Sequence, residues 1–409
     1  MDGGLARIGV AGLGLISPLG DDVGRAWGRL MSGDSAIEQM AWPGVPATPA
    51  APVAFDPSGE LSKLQQVGTD RVSQIALGAA RRALLDAKLS ASWPDAERVG
   101  LYVGTGMGGA ATMDAGYAAL HEGRRVPPLT VPSGMVNGPA AVIAINTGIR
   151  GPVLTYAVAC ASSALAIAEA AHALRRGDVD IALAGGAEAL LVRGTVSAWH
   201  ALRTLAAPDA EDVRRSCRPF SADRAGLVLG EGAAFLVLQR EEDLVRRGHP
   251  PHAWLAGSAV RCDAAHLTNP SVKGQVATMR AALLASGLSP SDVGYCNAHG
   301  TATHVGDTVE CEGLRELWGD AAKGLRLSST KAAHGHLLGA AGALEALWTV
   351  LALERGEIPP TRGVDEIDPL CQGLGHVLGE GVSDPTLRHA TSNSFAFGGT
   401  NVTLAFSRA

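Results

Sequence analysis

Aromatic residues are scarce in this chain, at 4% of 409 residues, although 46% of the residues are hydrophobic. A core with so few rings has to close through small side chains. The 52 glycines, together with abundant alanine, let helices and strands approach closely. No apolar run is long enough to span a bilayer, so no transmembrane helix and no membrane association are expected. The opening "MDGGLARIGVAGLGLISPLG" has an early Asp, one Arg and an apolar stretch broken by Gly and Pro. That pattern predicts a first strand and not a signal peptide. Positive charge is not in excess: the net charge of -6 argues against a nucleic-acid partner. The six cysteines, at 160, 217, 262, 296, 311 and 371, form no CxxC pair and predict free thiols in a reducing cytoplasm. Nucleotide binding is also excluded. There is no GxxxxGK motif, and "GTGMGG" (Gly104 to Gly109) lacks the spacing and downstream acid of a dinucleotide loop.

What is present alternates. "RIGVAGLGLIS" reads as a strand, "DRVSQIALGAARRALLDA" as a helix and "RVGLYVGTG" as a strand. "VLTYAVAC" is a predicted strand leading into the helix "SSALAIAEAAHALRRGD", and "VDIALAGGAEAL" is the next strand. The C-terminal part repeats this style, with a long helix that stops before a Pro pair and a closing turn and strand in "HATSNSFAFGGTNVTLAFSR". Strands alternating with helices predict an α/β fold, here two similar halves, 1–250 and 251–409, joined near "RRGHPPHAW".

Four stretches carry chemistry. Cys160 ends a strand and opens a helix, where unpaired N–H groups and the positive dipole end favour thiolate, the nucleophilic form. Read alone, it is equally a small core residue. His299, in "CNAHGTATHVGD", ends a strand where α/β ligand crevices form, and Thr301 and Thr303 follow with hydroxyls. Alternatively, it is a His that bonds its own turn. Lys331, His334 and His336 precede a helix, and a histidine there tends to stay neutral and can donate to an oxyanion. His334 and His336 have no acidic or Cys ligand at matching spacing, so no metal is expected. In "NSFAFGGTN", Phe397 beside two glycines is a candidate gate.

In order along the chain, "GVAGLGLISPLGDDVGRAWGRLMSG", "VPSGMVNGPAA", "ACASSALAIAEA", "RPFSADRAGLVLGEGAA", "AHGTATHVGDTVE", "STKAAHGHLLGAAGA" and "NSFAFGGTN" resemble the elongating β-ketoacyl-acyl carrier protein synthases. Their spacing agrees: 139 residues separate Cys160 from His299, and 37 more reach His336. The resemblance implies a thiolase-like fold, with duplicated βα units in a five-layer α-β-α-β-α arrangement. It implies an acyltransferase that uses no cofactor and takes its substrates on the phosphopantetheine arm of an acyl carrier protein. Cys160 would carry the acyl chain. His299 and His336 would stabilise the enolate left when a malonyl unit loses carbon dioxide. Lys331, Asp307 and Glu310 would form a supporting charged network that orients His336. The N–H groups of Cys160 and Phe397 would form the oxyanion hole, and Phe397 the gate. Thr301 and Thr303 would bind the arm. Initiating relatives carry His and Asn at the two histidine positions, so the His pair implies a carrier-bound acyl substrate.

The chain also departs from the common pattern. Val158 stands where Thr or Ser is frequent, Ala164 where Gly is frequent, and His304 where Pro is common. Met135 and Gly138 fall where relatives line the far end of the acyl pocket. These departures resemble condensing enzymes of polyketide and aryl polyene pathways, alongside housekeeping fatty acid synthesis. The family pairs through its sheet, which implies a homodimer or a heterodimer with a chain-length-factor-like subunit. A non-catalytic chain-length factor is the alternative function, but such partners usually lack the nucleophilic Cys. An acidic carrier needs a local basic patch on this acidic chain. Arg124, Arg125, Lys63 and Arg71 are the candidates, against an ordinary solvated surface.

Overall fold

A computed structural model describes residues 6–89 and 93–409. Eleven strands share the main sheet: β1 (Ile8–Ile16), β2 (Val99–Gly104), β3 (Val153–Tyr156), β4 (Ile181–Glu188), β5 (Gly232–Arg240), β6 (Ala253–Cys262), β7 (Tyr295–Asn297), β8 (Arg326–Ser328), β9 (Gly375–His376), β10 (His389–Phe395) and β11 (Thr400–Arg408). Their order across the sheet is β9-β8-β7-β10-β11-β6-β1-β5-β4-β2-β3. β1 and β6 sit side by side at the centre, joined by three antiparallel residue pairs. Outward from β1 come β5 and β4, both antiparallel, then β2 and β3, both parallel. Outward from β6 come β11 and β10, both antiparallel, then β7 and β8, both parallel. The same connection pattern therefore occurs twice, and β9 extends only the second copy.

Five helices position the site: α1 (Arg71–Asp86), α2 (Ser162–Arg176), α3 (Val272–Ser286), α4 (His304–Trp318) and α5 (Ala341–Arg355). α1 covers the outer face of β1 and β5, and α3 that of β6 and β11. α2 and α5 lie between the two sets of strands and touch both. The layers are thus α-β-α-β-α, as the resemblance implied. Both faces of the strands are covered, so both faces are apolar. On β5, Ala234, Leu236 and Leu238 face the central helices, while Ala233, Phe235 and Val237 face α1.

Small residues set the spacing of these layers. A Cβ on Gly104 would collide with the Ser162–Ser163 backbone, and one on Gly342 would come within 2.8 Å of the Ala164 Cβ. Ala164 is therefore a contact between the two central helices, and it lies outside the cavity described below. Two local expectations need correction. "VLTYAVAC" is strand only to Tyr156, because the chain tightens into a 3-10 turn at Ala159–Ala161. The C-terminal segment is two antiparallel strands, β10 and β11, that flank the Ala396–Gly399 turn.

Candidate active site

Cys160 occupies that 3-10 turn, directly ahead of α2. Ala159 adopts a positive φ of 48°, a strained geometry for a residue with a Cβ. Ser162 braces the bend: it accepts from Val158 N at 2.9 Å and donates to Ala159 O at 2.6 Å. Ser163 accepts from Ala343 N at 2.8 Å and so ties α2 to α5. The thiol does not rest as thiolate. Burial pushes it up to about 12, and the Lys331 charge and the Phe397 N–H, which pull the other way, do not offset that. The expectation that the helix end would favour thiolate is therefore corrected: desolvation outweighs the local positive field. The Phe397 N–H does point at this sulfur.

His299 follows β7 on a tight turn whose N–H groups are taken by buried carboxylates. Glu310 accepts from His299 N at 2.9 Å and Gly300 N at 2.8 Å. Asp307 accepts from Thr301 N at 2.9 Å, Ala302 N at 3.1 Å and Phe220 N at 2.8 Å. Burial raises both carboxyls, Asp307 to about 7, against these bonds. Lys331 Nζ donates to the His299 carbonyl and pairs with Glu345, a fully buried acid in the second turn of α5. Arg224, 1% exposed, lies 3.5 Å from Asp307 and bonds Asp368 at 2.6 Å. Neither Glu345 nor Arg224 was singled out from the sequence.

This network orients His299. The expectation that it orients His336 is corrected, because His336 is held by neutral backbone groups. His336 N donates to Val228 O at 2.7 Å, and its carbonyl accepts from Gly230 N at 2.9 Å. Its ring Nδ1 accepts from Leu338 N at 3.2 Å, so the ring proton resides on Nε2, which has no partner among the described residues. Burial first, then the Lys331 charge, holds both histidines well below the ordinary imidazole range, and both are neutral. Burial does this without help from a helix dipole, since His336 stands five positions ahead of α5. His334 is spent on structure, bonding Gly335 O at 2.9 Å and Thr330 Oγ1 at 3.1 Å.

The Cys160 sulfur and nitrogens of His299 and His336 lie within 4.8 Å of one another. The two rings meet edge to face, with centroids 5.3 Å apart. Such a trio could ligate a metal by distance alone. A protonated thiol, a ring that presents N–H, and the buried Lys331 cation beside both make poor partners for a second cation. The three line a cavity of ≈ 340 Å³ together with Thr301, Thr303 and Phe397. Thr301 and Thr303 share a hydroxyl contact of 3.0 Å, and Thr303 caps α4. Phe397 stacks on Trp199 at 6.2 Å and is followed by two positive-φ glycines, Gly398 and Gly399. Trp199 went unnoticed in the sequence, although in a chain so poor in rings every tryptophan is a candidate wall.

Other predicted residues fall elsewhere. Met135 and Gly138 are not in the cavity wall. Met135 is half-exposed and packs with Val136 on Gly108, while Gly138 starts a separate helix, Gly138–Thr147. Arg71 is removed from the docking candidates, because its guanidinium holds Glu231 at 2.7 Å and Val53 O at 2.7 Å. Arg124 pairs with Glu122, and Arg125 and Lys63 are exposed, but none of the three lines the mouth. The cation that does is Arg203, which is exposed and has a positive φ of 58°.

Comparison with known proteins agrees with this geometry. Residues 5–244 match the family described as "Beta-ketoacyl synthase, N-terminal domain", and residues 252–365 match "Beta-ketoacyl synthase, C-terminal domain". The chain is 40% identical over 405 residues to "Nodulation protein E" of Rhizobium sp. (strain N33), covering 98% of each. It is 35% identical over 415 residues to "3-oxoacyl-[acyl-carrier-protein] synthase 2" of Staphylococcus aureus (strain COL), again covering 98% of each. Among solved structures, "The ishigamide ketosynthase/chain length factor" superposes with a TM-score of 0.93 at 31% identity, over 99% of this chain and 100% of that one. With this fold, this cysteine–histidine trio and these matches, the chain belongs to the β-ketoacyl synthase family.

Proposed function

We propose that this protein is a 3-oxoacyl-acyl carrier protein synthase, an acyltransferase that catalyses decarboxylative Claisen condensation. The convergence of one thiol and two neutral imidazoles within 4.8 Å carries this reading. In the first half-reaction Cys160 attacks the acyl thioester on a carrier protein. The sulfur–acyl bond forms, the carrier thiol leaves, and it takes the proton that Cys160 gives up. In the second, malonyl-carrier protein loses carbon dioxide, and the electron pair becomes an enolate whose oxygen receives the His336 Nε2–H and the His299 ring. The carbanion attacks the acyl thioester, the tetrahedral oxygen is held by the Cys160 and Phe397 N–H groups, and Cys160 leaves as thiolate and takes a proton from water. Neutral rings suit this task, because an imidazolium would have paid the full cost of burying its charge.

The two halves, 1–250 and 251–409, act in this reading as one catalytic unit, one supplying the thiol and the other both rings. Thr301 and Thr303 hold the phosphopantetheine arm, and no cofactor of the enzyme's own is needed. The carrier protein docks at the mouth, where Arg203 meets its acidic surface and Arg124, Arg125 and Lys63 contribute from further out. A second subunit, an identical copy or a chain-length-factor-like one, covers the free edge of β3. There Val153 and Leu154 are exposed. No described helix is long and apolar enough to cross a membrane. We place the enzyme in the cytoplasm, in fatty acid or in polyketide or polyene chain elongation. Incubation with acyl- and malonyl-carrier proteins is expected to yield a 3-oxoacyl product that Cys160→Ala abolishes. Full condensation by Cys160→Ala would overturn the assignment.

A further inference from the structure

Glu188 ends β4 and is fully buried, yet no cation of the described residues pairs with it. Its carboxylate is spent on backbone. Oε2 accepts from Gly106 N at 2.7 Å and from Gly339 N at 3.0 Å, and Oε1 accepts from Met107 N at 3.1 Å. The Thr105 hydroxyl adds a further bond. The duplicated topology gives this arrangement a counterpart. The turn after β2 corresponds to the turn after β7, where Glu310 takes the His299 and Gly300 N–H groups. In both halves a buried carboxylate fastens the turn that follows the second strand.

The N-terminal copy does one thing more. Through Gly339, Glu188 crosses from the cysteine half to the strap that carries His336. Gly339 and the Thr105–Gly106 backbone are in such close contact that a Cβ on Gly339 would collide with it. One residue earlier, Leu338 adopts a positive φ of 43°, and its N–H is the donor to His336 Nδ1. A leucine in that conformation persists only where its neighbours are held. Gly339 is held by Glu188, and Leu338 in turn fixes the ring tautomer.

We propose that Glu188 is a positioning residue for His336. By clamping Gly339 onto the turn after β2, it maintains the Leu338 N–H bond that keeps the His336 proton on Nε2, facing Cys160. The catalytic consequence rests on the condensation reading of this cavity, whereas the tautomer itself does not.

The test uses the full-length enzyme and its Glu188→Gln and Thr105→Val variants. Three quantities are read: acylation of Cys160 by an acyl-carrier protein, decarboxylation of malonyl-carrier protein, and the ¹⁵N signals of the His336 ring. Glu188→Gln replaces one of the two acceptor oxygens by a donor, so either the Gly106 and Gly339 N–H groups or the Met107 N–H loses its acceptor and the clamp weakens. Decarboxylation is expected to fall by about tenfold or more, as for other residues that orient a reacting group through a neighbour. Cys160 acylation should change far less, and the His336 signals should move from one tautomer to a mixture. Thr105→Val, which removes one donor to Glu188 and the acceptor of Gly108 N, should show the same split to a smaller degree and serves if Glu188→Gln does not fold. An unchanged His336 signal, or an equal loss in both half-reactions, would overturn the proposal. If the unaltered enzyme decarboxylates nothing, the condensation reading fails, while the His336 signals still decide whether Glu188 sets the tautomer.

Discussion

His299 and His336 face the same thiol from one half of the chain, yet they are held by different physics. His299 stands on a turn whose N–H groups end on Glu310 and Asp307, with Lys331 on its carbonyl and Glu345 behind. His336 stands on a strap whose own bonds are neutral backbone bonds, anchored to one distant carboxylate through Gly339. Buried charge is costly to leave unpaired, whereas a displaced neutral bond mainly misaims a ring. Damage behind His299 should therefore unfold the protein before it slows it. Damage behind His336 should slow a folded enzyme.

The largest expected effect tests the charged side. Lys331→Ala leaves Glu345 buried without its partner and should cost about 3–5 kcal/mol in denaturant unfolding. Stability equal to that of the parent protein would break the comparison. The double change Lys331→Met with Glu345→Leu removes both charges and should regain much of that stability without regaining decarboxylation.

Next come the rings themselves. His299→Ala and His336→Ala should each slow malonyl decarboxylation by about 10²–10³-fold, the usual loss of one oxyanion donor, while Cys160 acylation persists. If acylation fell equally, the two rings would serve the thiol and not the enolate.

The motifs made the clustered thiol and imidazoles legible, but not what holds them. Cys160, His299, His336 and Lys331 are set by residue type and order, which a single sequence displays. Glu345 and Glu188 are single acids inside apolar segments, "AGALEALW" and "LAGGAEAL", where a reader expects a solvated face or a strand end. Their meaning lies in partners 14 residues away for Glu345, and 82 and 151 residues away for Glu188, which only the fold brings together. A lone acid in a run that is otherwise wholly apolar was the signal available. Arg71 failed as a docking residue for the same reason, because its partner Glu231 is 160 residues distant. The alternation of strands and helices was legible because the period of apolar residues changes where the element type changes. The Ala159 bend was not, because no propensity places alanine at positive φ.

A smaller effect is expected at the gate. The Trp199–Phe397 stack is worth about 0.5–1.5 kcal/mol, so Trp199→Ala should change Cys160 acylation by no more than about tenfold. A larger loss would make Trp199 part of the substrate wall instead of a rest for the gate.

The smallest effect lies far from the cavity. His252 bridges Asp86 and Glu354 at 2.8 Å each. Burial lowers its pKa, but the two carboxylates outweigh that and raise it from 6.5 to about 9. Its contribution is fully present below the unfolded value and is lost as pH rises through about 9. Both acids are partly exposed, so we expect about 1 kcal/mol, seen as a fall in melting temperature across that window that His252→Gln lacks.

The most direct test of the central claim is mass spectrometry of the intact protein after incubation with acyl-carrier protein, followed by addition of malonyl-carrier protein. The account predicts a single acyl adduct on Cys160 that disappears on the second addition as a 3-oxoacyl-carrier protein accumulates. An adduct on any other residue, or an acyl-Cys160 that malonyl-carrier protein leaves in place, would contradict it.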